Sequence, residues 1–178
     1  MADYPNETDC ITLIGMASAG KSTLGKILAH QLGWVFIDTD HLIEGQYGTN
    51  LQAVTDSMTK EEFLDVECAV ICALRAKRCV IATGGSVVYR EKAMEHLRSL
   101  GPICHLDVSL PKIIKRIGEK PDRGLAIAPG QTIEDLYNER AALYKKYAEI
   151  SVQCDNKTPE QCVTALLAAL ECSHEKEK

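Results

Sequence analysis

Residues 15–23 read GMASAGKST, with glycines at Gly15 and Gly20, a lysine at Lys21 and hydroxyls at Ser22 and Thr23. The spacing Gly15-x4-Gly20-Lys21-Ser22 is the phosphate-loop pattern. Its context fits, because the apolar run CITLI from Cys10 precedes it and the helical pattern LGKILAHQL follows it. A loop of this kind wraps a phosphate in inward-pointing backbone N–H groups, and the helix N-terminus adds partial positive charge. Gly15, Ala17, Ser18, Ala19, Gly20 and Thr23 are therefore candidate nucleotide contacts. Lys21 is placed to reach the β- and γ-phosphates, and Ser22 to offer its hydroxyl to Mg²⁺. A chance match on a glycine-rich turn is the competing explanation, and strand before with helix after argues against it.

Working outward, four more strand-like runs alternate with helical patterns: WVFI from Trp34, CVIA from Cys79, ICHL from Ile103 and ISVQ from Ile150. That alternation predicts an α/β fold, a five-stranded parallel sheet wrapped by helices in one domain over residues 1–178. Several runs are apolar at nearly every position, as strands covered on both faces should be. The segment EKPDRGLAIAPGQT, Glu119–Thr132, breaks every period with prolines and glycines and reads as a mobile lid over about residues 119–131, with Arg123 at its middle. The charged stretch His174–Lys178 reads as a frayed tail.

The bulk composition narrows the partners. A formal net charge of −5 opposes broad attraction to nucleic acid or anionic lipid, and the 46% hydrophobic content is scattered in short runs too brief to span a membrane. The polar, acidic start MADYPNETDC lacks a secretory signal, so a cytoplasmic location is expected, with a small-molecule partner and a monomeric state. Of eight cysteines, Cys10, Cys79 and Cys104 sit in apolar β-like runs and read as core. Cys68 and Cys72 share a helix face at a one-turn spacing, but no histidine or CxxC pair completes a zinc site.

A bound nucleoside triphosphate needs an acceptor, and the second strand ends in candidates. In FIDTD, Asp38 and Asp40 lie at a strand's carboxyl end beside the phosphate loop, where α/β ligand crevices form. Asp38 suits an outer-shell Mg²⁺ role and Asp40 suits receiving a hydrogen bond or proton from an attacking hydroxyl, while an N-cap for the next helix is the plainer role for one of them. The third strand runs into Gly84-Gly85-Ser86, a turn where bare backbone can approach a ligand. In the helix Ile133–Tyr147 the apolar stripe Ile133, Leu136, Tyr137, Tyr144 and Tyr147 also carries Arg140. An inward guanidinium needs an anion, either an internal carboxylate or one on the substrate.

With GMASAGKST, DTD, ATGGS, PDRGL and ERAALY all present, the chain resembles the shikimate kinase family of small phosphate-loop kinases over nearly its whole length. The resemblance implies a P-loop NTPase fold, ATP and Mg²⁺, and transfer of the γ-phosphoryl group to a ring hydroxyl. It implies that Asp38 assists Mg²⁺, Asp40 binds the substrate hydroxyls, and Gly84 and Gly85 contact the substrate through backbone. It also implies that Arg116 lies by the adenine, with Lys157 and Pro159 of the NKTP segment in the adenine loop, that Arg123 swings onto the phosphates, and that Arg140 holds the substrate carboxylate.

Two departures stand out. In EEFLDVE, Leu64 occupies the place where the family has an arginine that pairs with the counterpart of Arg140, and Ser86 replaces the family's third glycine. Leucine supplies no bidentate donor, and losing one charge-assisted bond costs about 1.5–3 kcal/mol. Glu67, one turn beyond Phe63, then lacks that arginine as partner. Arg140 for a carboxylate, with Glu67, Asp40 or Asp65 for an ammonium, would suit a hydroxy amino acid such as homoserine. Shikimate and homoserine both stay open as acceptors at this point. So do a non-catalytic nucleotide-binding regulator and, with few arginines for a second phosphate, a nucleotide-phosphorylating kinase.

Overall fold

The computed structural model describes residues 10–119 and 130–174. Five strands, β1 (Ile11–Ile14), β2 (Val35–Asp38), β3 (Cys79–Ala82), β4 (Ile103–Asp107) and β5 (Ile150–Gln153), form one parallel sheet in the order β2-β3-β1-β4-β5. Thr12 lies opposite Ile81 on one side and Ile103 on the other, so β1 is central in the sheet. Every residue of β1 and β3 is buried, as expected for strands covered on both faces. The edge strands differ, with Val35 of β2 61% exposed and β5 alternating buried and exposed.

The helices are α1 (Lys21–Leu32), α2 (Thr39–Tyr47), α3 (Leu51–Asp56), α4 (Lys60–Ala73), α5 (Glu91–Leu100), α6 (Leu110–Gly118), α7 (Ile133–Tyr147) and α8 (Pro159–His174). Their ends are set by local chemistry. Thr59 and Glu62 form a capping box at the start of α4, and Thr132 and Asp135 form one at the start of α7. Asn50 caps α3 by accepting from the Ala53 N–H. Gly33 closes α1 in the left-handed region.

The main core lines both faces of the sheet, and Cys10, Cys79 and Cys104 lie within it as small apolar residues. A second, smaller core of Ile43, Val54 and Phe63 joins α2, α3 and α4 into a satellite unit. The chain leaves β1 toward β2 on one side and leaves β4 toward β5 on the other. A crevice therefore opens at the carboxyl ends of these strands, where the loop Gly15–Gly20 sits.

Of the proposed lid, Lys120–Pro129 lies outside the described residues, and Arg123 with it; so do residues 175–178 of the proposed tail. No helix among the described residues is long and apolar enough to cross a membrane. The Cys68 and Cys72 thiols are 4.0 Å apart on consecutive turns of α4.

Candidate active site

The phosphate loop is held open by its backbone. Gly20, the N-cap of α1, has φ of 104°, and Ser18 is in the left-handed region at φ 62°. Successive N–H groups in such a turn form an anion-binding concavity. The Ser18 hydroxyl is buried without a hydrogen-bond partner, a polar atom that suits a phosphate oxygen. Lys21 is 7% exposed, and its Nζ donates to the Gly15 and Met16 carbonyls at 2.7 Å each, which folds the ammonium over the loop. The Arg116 Nη1 donates to the Ser18 and Ala19 carbonyls at 3.2 Å and ties α6 to the same turn.

Next to the loop, Ser22 Oγ donates to Asp38 Oδ2 at 2.7 Å. This hydroxyl–carboxylate pair beside a phosphate cradle is the hard-oxygen set that Mg²⁺ prefers. The other Asp38 oxygen accepts from the Asp40 N–H at 3.2 Å and caps α2. Asp38 is thus the N-cap of the pair as well as the partner of Ser22, and Asp40 lines the adjoining cavity.

That cavity, about 600 Å³, draws its lining from well-separated parts of the chain, among them Lys21 and Ser22 of α1, Asp38 and Asp40 around the start of α2, Phe63 and Glu67 of α4, Gly84–Ser86 after β3, and Arg140 of α7. Arg140 is 1% exposed; its Nε donates to the Tyr89 hydroxyl at 3.2 Å and its guanidinium lies 5.2 Å from the centre of the Tyr89 ring. Tyr144 donates to the Gly85 carbonyl at 2.6 Å and fixes the glycine turn, while burial pushes its own phenol well up. Thr39 Oγ1 accepts from the Gly84 N–H at 3.3 Å. A Cβ on Gly84 would fall 2.2 Å from Glu67 Oε1 and 3.0 Å from Asp40 Oδ1, so an added methyl would have to displace the Glu67 carboxyl group.

A second cavity of about 250 Å³ lies on the other side of the loop, lined by Ser18–Gly20, Arg116, Cys154, Lys157, Pro159 and Cys162. Residues predicted for one subsite are thereby brought together from α6, the turn after β5 and α8. Lys157 Nζ also donates to the Gln153 carbonyl at 2.7 Å. Burial lifts the Cys154 thiol to about 12, so it stays protonated at neutral pH.

Three expectations need correction. Leu64 is 2% exposed but does not line the large cavity, because its neighbours Phe63 and Glu67 take that face of α4. Asp65 is turned away and paired with Arg90 at 2.8 Å, which removes it as a ligand group. Glu67 is not left without a partner, since Ser86 Oγ donates to its Oε2 at 2.8 Å. Of the two departures noted in the sequence, Ser86 thus serves the Glu67 carboxylate inside the cavity, while Leu64 packs outside it. Tyr89 was missed altogether; a lone tyrosine three residues beyond the glycine turn gave no spacing to read. His105 was missed too. It stacks on Tyr144 at 5.0 Å behind the loop, and burial lowers its imidazole to about 4.

A family profile described as "SKI: Shikimate kinase" matches residues 17–171. Shikimate kinases of Sulfurihydrogenibium sp. and Chromohalobacter salexigens are each 34% identical, the first over 90% of this chain and 96% of that protein, the second over 88% and 89%. Among solved structures, a shikimate kinase from Acinetobacter baumannii in complex with shikimate superimposes with a TM-score of 0.84 at 26% identity, covering 93% of this chain and 94% of that one. The Aquifex aeolicus enzyme gives 0.76 at 28% identity, covering 93% and 98%. A gluconokinase from Sinorhizobium meliloti, at 16% identity and 0.60, shares the fold. Homoserine as acceptor finds no support in these relatives, and the carboxylate on which that reading leaned is engaged by Ser86.

Proposed function

The chain belongs to the shikimate kinase family and uses ATP with Mg²⁺, and on that premise we propose that its acceptor is shikimate, phosphorylated on a ring hydroxyl in the cavity between Lys21 and Arg140. The observation that carries this reading is that the buried Arg140 and Asp40 line one cavity together with Lys21 of the phosphate loop. A carboxylated ring with hydroxyls needs a cation at one end and a hydrogen-bond acceptor at the other.

In this reading Arg140 holds the acceptor carboxylate, and the Gly84–Gly85 backbone closes on the ring. Asp40 receives the hydrogen bond of the attacking hydroxyl. That oxygen bonds to the γ-phosphorus, the bond to the β–γ bridging oxygen breaks, and the proton passes to the Asp40 carboxylate and on to solvent. Lys21 and the loop N–H groups neutralise charge on the transferring group, with Arg123 assigned the same work from the lid. Ser22 and Asp38 are the residues for Mg²⁺, whose charge offsets that of the phosphates when bound. The smaller cavity is the adenine site, with Arg116 on one wall and Lys157 and Pro159 on the other.

Both subsites are built from one chain, which supports action as a monomer. None of the eight cysteines forms a disulfide among the described residues, which suits a reducing cytoplasm. Steady-state ADP release with MgATP tests the acceptor. The reading expects release that depends on shikimate and saturates with it, with homoserine and gluconate inert; release driven by either of those and not by shikimate contradicts it.

A further inference from the structure

Glu67 is a buried carboxylate of the acceptor cavity for which the phosphoryl transfer above has no use. It lies 2% exposed on α4. Its Oε2 accepts from Ser86, and its Oε1 is buried with no hydrogen-bond partner. That Oε1 and Asp40 Oδ1 crowd the same point beside Gly84, at 2.2 and 3.0 Å from where a Cβ would stand. The charged groups that bear on it are Asp40 from α2, Arg140 from α7 and Lys21 from α1. Lys21 is already turned onto two loop carbonyls.

Glu67 and Asp40 therefore both bear on this corner of the cavity, and Arg140 is a buried cation that acts on it. Leu64, where the family has an arginine, brings no charge to this part of α4. A serine hydroxyl supplies a hydrogen bond without a charge, which is weaker compensation for a buried anion. We propose that Glu67 is the specificity-determining residue of the acceptor cavity: as an uncharged carboxyl group it leaves Arg140 to the acceptor's carboxylate, and as a carboxylate it competes for Arg140. The cavity then selects a carboxylated acceptor only while Glu67 holds its proton, and above the inflection acceptor binding draws one proton from solvent onto Glu67. Burial, reinforced by the charge of Asp40, lifts this carboxyl to about 7, against the opposing pull of Ser86, Arg140 and Lys21.

The inference rests on shikimate as acceptor, and its test separates the two. The shikimate KM of the wild-type enzyme, measured from pH 6 to pH 9, is expected to be flat at first and then to rise toward tenfold per pH unit, with the MgATP KM unchanged. Shikimate's own carboxylate is ionised throughout this range. Glu67→Gln is expected to give a flat, low KM, and Ser86→Ala to move the inflection to higher pH by removing a bond that favours the charged form. A second readout needs no turnover. A buried carboxyl raised above its unfolded value loses stability as pH climbs from the unfolded to the folded value. The Tm of Glu67→Gln minus that of the wild type should therefore grow between pH 5 and pH 8, by about 5 °C. A wild-type KM that stays level to pH 9, a Glu67→Gln profile that tracks the wild type, or a Tm difference constant with pH overturns the proposal. If shikimate is not turned over at any pH, the acceptor reading falls, and the Tm comparison alone decides the charge of Glu67. If Glu67→Gln does not fold, the wild-type profile and its displacement in Ser86→Ala decide the proposal.

Discussion

The nucleotide side and the acceptor side of this molecule are built on different principles. On the nucleotide side, consecutive residues of one turn, anchored between β1 and α1, present backbone N–H groups and a folded-over lysine. The acceptor side has no such continuity. Asp40, Glu67, Gly84, Ser86 and Arg140 come from α2, α4, the turn after β3 and α7, and the small core of Ile43, Val54 and Phe63 lies under part of that wall. A backbone cradle tolerates changes in most side chains, because its ligands are amides. A wall of side chains changes its chemistry with each substitution; Ser86 is part of that wall, and Leu64 lies behind it on α4.

The largest effect is expected where the two sides meet. Lys21→Met should lower kcat about 10³-fold while far-UV circular dichroism and Tm stay near wild type, because its charge acts on the transferring group. Retention of more than a tenth of the activity would refute that role. Arg140→Gln should raise the shikimate KM by about 10- to 100-fold, the equivalent of one charge-assisted bond, and leave MgATP binding by calorimetry within about twofold. Equal losses for both ligands would dissolve the contrast between the sides. Gly84→Ala brings a methyl onto Glu67 Oε1 and Asp40 Oδ1, and should cost about 1–3 kcal/mol in denaturant unfolding, with a higher acceptor KM. An unchanged unfolding midpoint would mean that the wall yields. Arg116→Ala should have the smallest effect, a rise of about fivefold in the MgATP KM with the shikimate KM untouched, since Arg116 props two loop carbonyls.

The same contrast explains what the sequence made legible. The loop, the strand before it and the helix after it are local features, and the five apolar runs became the five strands of the sheet. Asp38 and Arg140 were also readable, one from its place at a strand end and the other from lying on an apolar stripe. What escaped was convergence over long separations. Nothing in the spacing of Glu67 and Ser86, nineteen residues apart, announces a 2.8 Å hydrogen bond. Nor does the run EEFLDVE reveal that Asp65 turns toward Arg90 while Glu67 turns inward, since both flank the apolar stripe of α4. Tyr89 ends a 3-10 turn, Val87–Tyr89, whose direction only the packed α7 decides.

The most direct test of the account is ³¹P NMR of MgATP and shikimate incubated with the enzyme. The account predicts one phosphomonoester of shikimate formed for each ADP, with no inorganic phosphate accumulating. ADP and inorganic phosphate appearing in equal amounts, with shikimate unmodified, would contradict it.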